Sequence, residues 1–172
     1  MNQIKILPID ESNIEICHNI NQKNVPEVGN VTLKAFQNLV VNSNLSMCVL
    51  KDDKPIAYVI TFLDDDKTIN FMKKVNHKNF IHLQNIVSNF IYIDRIAVDK
   101  NNRKIGIASE LYKEIIKFAK QQNVDNLTAE INLLPTKNIA SFKFHKKFQF
   151  TEIKTYKYSD DYEVSFQQLS LI

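Results

Sequence analysis

The sequence predicts a mixed α/β fold, one sheet with helices on both faces. Three observations carry this. β-rich and amphipathic runs alternate along the 172 residues in the order β-α-α-β-β-(α)-β-α-β-α-β-β. Residues 90–98 are apolar on both alternations, as a strand covered on both sides must be. Straight after it, apolar side chains recur at helical spacing.

The elements follow in order. Residues 4–9 read as a short first strand ending near Pro8, and Asp10 or Ser12 is placed to cap the helix after it. Glu11 and Glu15 suit its first turns, and Ile14, Cys17, His18 and Ile20 or Asn21 give it an apolar side. Residues 24–30 hold Pro26 and Gly29 and break it. Thr32 is the next cap, with Leu33, Phe36, Leu39 and Val40 at helical spacing. Residues 45–50 and 55–63 read as a hairpin. Asp64, Asp65 and Asp66 read as a solvated loop: no glycine turn or distal glutamate follows at calcium-loop spacing. Residues 67–76 have no legible period, and 78–88 read as a short helix. In the strand at 90–98, Asp94 and Arg95 are expected on opposite faces. A helix over 103–122 carries Ile107, Ala108, Leu111, Ile115, Phe118 and Ala119 as its apolar stripe. Residues 126–133 alternate, with Leu127, Ala129, Ile131 and Leu133 on one face and Thr128, Glu130 and Asn132 on the other. A helix over 137–148 and a hairpin of 150–157 with 162–169 complete the chain.

Composition narrows the function classes. Hydrophobic residues are 44 % and charged residues 24 %, so one ordinary domain over 1–172 is expected. The net charge of +3 is too small, and the lysines too scattered, to point to nucleic acid. Cys17 and Cys48 form neither a CxxC pair nor a disulfide framework, so a reducing cytoplasm is the expected location. The N-terminus lacks the apolar segment of a signal peptide, and no run reaches membrane-spanning length, so no membrane partner is expected. No metal ligand set is read from the spacing, and a homodimer is left open.

The informative stretch is Asn101-Asn102-Arg103-Lys104-Ile105-Gly106-Ile107-Ala108, which holds one of the chain's 2 glycines. A strand, a short loop and a helix start make an anion cradle, because the first helical N–H groups have no intrahelical partner. Gly106 lets backbone approach a ligand closely. The pattern Arg103-x-x-Gly106-x-Ala108, in this context, resembles the GNAT superfamily of acyl-CoA-dependent N-acyltransferases. A second match is the helix Asn138-Ile139-Ala140-Ser141-Phe142-Lys143-Phe144-His145. It is similar to a bacterial subgroup that also shares Val25-Pro26 and the Tyr92-x-Asp94-Arg95 run. His145 stands where tyrosine is most common, and Gln149 replaces the usual glycine before Phe150.

The resemblance implies a single mixed, mostly antiparallel sheet and acetyl-CoA (coenzyme A) as cofactor. It implies direct transfer of an acetyl group to a small-molecule or peptide amine, with no acyl-enzyme. Backbone of Ile96, Ala97 and Val98 should hold the pantetheine arm. Arg103, Lys104, Ile105, Gly106, Ile107, Ala108 and Ser109 should hold the pyrophosphate, with Asn138, Ser141 and Phe144 as further cofactor contacts. Asp94 and Glu130 are the candidate bases, Asp94 being equally readable as half of a structural ion pair. His145 is the candidate general acid, with Tyr92, Tyr112 and Tyr156 as fallbacks. Asn138 also suits a helix start. The acceptor side is expected from 24–30, the 64–82 insert and the last hairpin. A non-catalytic acyl-CoA-binding module is the alternative, and an RNA-directed acetyltransferase finds little support in the modest charge.

Overall fold

The computed structural model describes residues 4–172. Strand β1 (Ile4–Pro8) ends at the proline, which cannot donate to a ladder. Helix α1 (Ile14–Gln22) starts after Asn13, which makes no side-chain cap bond. Asp10 caps the turn that leads into it: its carboxylate accepts from the Ser12 N–H at 2.9 Å and its carbonyl from the Ile14 N–H at 3.0 Å. α1 buries Cys17, Ile20 and Asn21. Helix α2 (Leu33–Asn42) starts at Thr32, whose hydroxyl accepts from the Ala35 N–H at 3.2 Å.

β2 (Leu45–Lys51) and β3 (Lys54–Leu63) form the expected hairpin. Asp52 and Asp53 link them with φ of 51° and 61°, the left-handed pair that matches strand twist in a two-residue turn. The next segment corrects the sequence reading. Asp65 is no solvated loop residue: it caps α3 (Asp66–Lys74), accepting from the Thr68 N–H at 2.7 Å. Lys73 and Lys74 sit at the far end, so both helix termini carry favourable charge. α4 (Lys78–Gln84) follows and buries Asn79, Phe80 and Leu83.

β4 (Phe90–Val98) is fully buried over its first four residues and alternates thereafter. A short 3-10 turn (Lys100–Asn102) is capped by Asp99, whose carboxylate accepts from the Asn101 N–H at 3.0 Å. α5 (Ile107–Gln121) begins at Ile107, not at Arg103. Lys104 and Gly106 have φ of 65° and 91°, which no right-handed helix can contain. Its stripe of Ile107, Leu111, Ile115 and Ala119 is buried, together with Tyr112. β5 (Asn126–Leu134), α6 (Ile139–Lys147), β6 (Thr151–Ser159) and β7 (Tyr162–Ser170) complete the order.

The sheet runs β1-β2-β3-β4-β5-β7-β6. The pairs β1–β2, β2–β3, β5–β7 and β6–β7 are antiparallel and β4–β5 is parallel. The fold is therefore the mixed, mostly antiparallel α/β arrangement that was expected. The β4–β5 register covers Phe90–Tyr92 against Asn126–Thr128. The chain forms two compact units, residues 1–62 with 94–118, and residues 63–93 with 119–172. The first unit has Phe36, Cys48, Tyr58, Ile60 and Leu111 in its core; the second has Phe80, Phe90, Leu127 and Phe166.

Candidate functional site

In the first unit, the cradle is built by the β4-to-α5 connection. Asp99 fixes the turn, Lys104 and Gly106 take left-handed conformations, and α5 begins. The first bond into the helix runs from the Glu110 N–H to the Gly106 carbonyl at 3.1 Å. The N–H groups of Ile107, Ala108 and Ser109 therefore precede any intrahelical partner. A Cβ placed on Gly106 would meet nothing within 4 Å, so open space lies in front of this backbone. Lys104, Ile105 and Gly106 are exposed. These features fit a polyphosphate: free donors, a helix dipole, a lysine and room. An open groove of about 530 Å³ in this unit, lined by Leu7, Val40, Leu45 and Met47, lies elsewhere and includes no cradle residue.

Asp94 and Arg95 do not part to opposite faces. The Arg95 Nε donates to the Asp94 carboxylate at 2.7 Å, with side chains 8 % and 2 % exposed. Strand alternation directs the Cβ atoms, but the long arginine stem brings its guanidinium back round. Arg95 Nη1 also donates to the Asn21 amide oxygen at 3.1 Å and the Gly29 carbonyl at 3.3 Å. Asn21 accepts from the Tyr58 hydroxyl at 2.6 Å and donates to the Gly29 carbonyl at 3.1 Å. Burial pushes the Tyr58 phenol up. Asn21 and Tyr58 are not among the residues the sequence pointed to for this site. The only signal was an asparagine on the apolar side of α1.

The second unit holds the remaining candidates. Asn138 caps α6, its amide oxygen accepting from the Ser141 N–H at 3.1 Å. His145 is buried at 4 % exposure, so it is not the surface histidine its lysine neighbours suggest. Its Nδ1 lies 2.8 Å from the Ser141 carbonyl and 3.2 Å from the Ser141 hydroxyl. A carbonyl only accepts, so Nδ1 carries the proton and Nε2 the lone pair. Phe144 and Phe150 meet the ring edge-on at 5.7 and 5.0 Å. Desolvation holds the imidazole below its ordinary value, against a smaller opposing effect from the Ser141 bond.

Glu130 is half-buried on β5, and its charge helps raise the phenols of Tyr158 and Tyr162, for which burial is the larger cause. Tyr158 donates to the Asn79 amide oxygen at 2.6 Å and stacks on Tyr162 at 5.1 Å. His82 lies 3.9 Å from the Tyr156 ring. These aromatic neighbours of Glu130 were also missed, because α4 and the last hairpin meet only in the fold. Among the described residues, no group of three or more His, Cys, Asp or Glu is placed to hold a metal ion. No described helix is long and apolar enough to cross a membrane.

The family model of the acetyltransferase (GNAT) family matches residues 15–150. The chain belongs to the GNAT acetyltransferase family. This GNAT protein is an acetyltransferase. Its fold recurs in solved structures of low identity. The ribosomal-protein-S18-alanine N-acetyltransferase of Escherichia coli is 16 % identical with a TM-score of 0.72, over 98 % of this chain and 94 % of that one. An N-acetyltransferase from Staphylococcus aureus Mu50 is 21 % identical, with a TM-score of 0.72 over 99 % of each chain. Arabidopsis thaliana NAA60, in complex with acetyl-CoA, is 15 % identical with a TM-score of 0.73, over 98 % of this chain and 100 % of that one. No curated protein matches the sequence.

Proposed function

We propose that this GNAT protein transfers the acetyl group of acetyl-CoA to a primary amine of a small molecule or peptide, by direct attack in a ternary complex. The cradle carries the reading. Open space in front of Gly106 and unpaired N–H groups at the start of a 15-residue helix suit a pyrophosphate. NAA60 of the same fold is in complex with acetyl-CoA, which agrees with that assignment. The family match at 15–150 draws on both compact units, which supports reading 1–172 as one acyltransferase domain.

When bound, acetyl-CoA supplies an activated acyl thioester. Backbone N–H groups of residues 103–109 would hold its phosphates, with Lys104 adding charge at the rim. Backbone of Ile96, Ala97 and Val98 would orient the pantetheine arm, and an N–H there would polarise the thioester carbonyl. We assign the proton leaving the amine to Glu130. Asp94 is less suited, because its carboxylate is already held by a buried guanidinium. His145, held neutral by burial with its Nδ1 proton on the Ser141 carbonyl, is better suited to relay a proton than to donate one near pH 7. Asn138, Ser141 and Phe144 are assigned to shaping the donor side through α6.

The test is thioester consumption with acetyl-CoA over a panel of small and peptide amines. Turnover with a primary amine is expected, and Glu130→Gln should lower kcat by about a hundredfold with little change in donor affinity. Unchanged kcat in that variant would remove Glu130 as the base. Turnover confined to water would remove the amine acceptor.

A further inference from the structure

Arg103 opens the cradle, yet its side chain is engaged elsewhere. Its Nε donates to the Val98 carbonyl at 3.4 Å, and its Nη2 donates to the Asn24 amide oxygen in a short hydrogen bond. Asn24 is 6 % exposed and stands where α1 gives way to the 24–30 loop. All of its polar groups are spoken for. Its amide nitrogen donates to the Ile20 carbonyl at 2.8 Å. Its backbone N–H donates to the Asn21 carbonyl at 2.9 Å, and its carbonyl accepts from the Val28 N–H at 3.1 Å. Asn24 thus sets the start of the loop.

The loop has two pins of different character. One is buried: Arg95 reaches the Gly29 carbonyl from β4, backed by Asp94, Asn21 and Tyr58. The other is exposed, and it comes from the cradle itself through Arg103. The buried pin does not depend on what the cradle holds. The exposed pin runs through the cradle, because Arg103 joins the Asp99-capped turn to the left-handed residues 104 and 106. That turn uses left-handed φ at Lys104 and Gly106, a conformation an L-residue such as Lys104 adopts only at a cost. An anion on the cradle N–H groups favours it over the alternatives.

We infer that Arg103 is a positioning residue that couples the donor cradle to the 24–30 loop, so that acetyl-CoA binding orders that loop before an amine is engaged. The inference rests on the donor reading of the cradle. It assigns the motif arginine a role distinct from phosphate contact: the backbone of residue 103 serves the donor, and its side chain serves the loop. Linkage makes the coupling reciprocal, so fixing the loop tightens donor binding by the same factor.

Amide hydrogen exchange on the full chain, with and without saturating acetyl-CoA, tests this without knowing the acceptor. In the wild type, acetyl-CoA should slow exchange both at residues 104–109 and at Val25 and residues 27–30; Pro26 has no N–H. In Arg103→Ala the cradle should still be slowed, while the loop's slowing should fall by roughly tenfold, the weight of one charge-assisted hydrogen bond. Arg103→Lys, which restores a donor to Asn24, should recover part of it. Asn24→Ala should weaken acetyl-CoA binding by the same factor as Arg103→Ala, and the double variant by no more than either. Equal loop slowing in the wild type and Arg103→Ala would overturn the coupling. So would a wild type in which the cradle is slowed and the loop is not. No slowing at the cradle would overturn the donor reading itself, and the coupling with it.

Discussion

Burial makes His145 harder to protonate than a free imidazole, and that has a thermodynamic consequence. Its folded pKa lies below the ordinary value, while the unfolded chain titrates near ~6.5. Between the two, the unfolded state binds the extra proton. The stability contributed by a neutral His145 is therefore complete above roughly pH 6.5 and is lost as pH falls through the folded value. Urea unfolding at about pH 7.5 and about pH 5.5 should show a drop in the wild type that is smaller in His145→Gln. An equal drop in both would show that His145 titrates freely. The sequence named this histidine but not its setting. Helical spacing gives a face, and whether that face is covered depends on Phe150, which lies beyond the helix. The same holds for Asp94. The carboxylate in a central strand was legible, and its partner was not, because Arg95 folds back against the alternation rule.

Short elements with a fixed period were the legible ones. The strand over 90–98 and the hairpins were read closely, since alternation and β-rich composition agree there. α3 was not read, because nine residues with Thr68 and Met72 as their buried members carry little period. Its cap at Asp65 was visible only as part of an acidic run. α5 was read too long at its start, because left-handed backbone at a lysine leaves no mark in composition. Gln149 is the matching case at the end of α6. It has φ of 64°, and its N–H donates to the Lys146 carbonyl at 3.0 Å while the Phe150 N–H reaches the His145 carbonyl at 3.0 Å. That is the helix-ending turn in which glycine is favoured. A glutamine holds the turn at a conformational cost. Gln149→Gly should raise stability by about 1 kcal/mol in equilibrium unfolding, with acetyl-CoA affinity unchanged. A loss of stability would mean that the glutamine side chain itself holds the turn.

At the scale of the whole chain, the fold class and the strand–turn–helix cradle were readable and the long-range polar networks were not. The cradle is local: strand, turn and helix start are contiguous, so a few residues suffice. The polar networks are long-range, joining Asn21 to Tyr58 and Arg95 across 37 and 74 positions, and one sequence does not display such pairings. A ligand that binds only the native state stabilises the whole chain. Acetyl-CoA at about a hundred times its dissociation constant should add about 2.7 kcal/mol. For a chain of this size that raises Tm by about 5–10 °C in a thermal melt. Gly106→Glu should fold and lose this shift, because a carboxylate then occupies the open space before the cradle. A full shift in that variant would place the phosphates elsewhere.

The order of the strands leaves β1 and β6 at the two margins of the sheet. Each margin offers backbone groups that another chain's strand could pair with. β6 is exposed along most of its length, and its register slips between Glu152 and Lys154 and between Lys157 and Ser159. β1 is only five residues long, carries Lys5 and ends in Pro8. Bulges, lysines and a proline interrupt the regular repeat that fibril-like stacking requires. Each margin thus carries a feature that disfavours regular pairing with another strand.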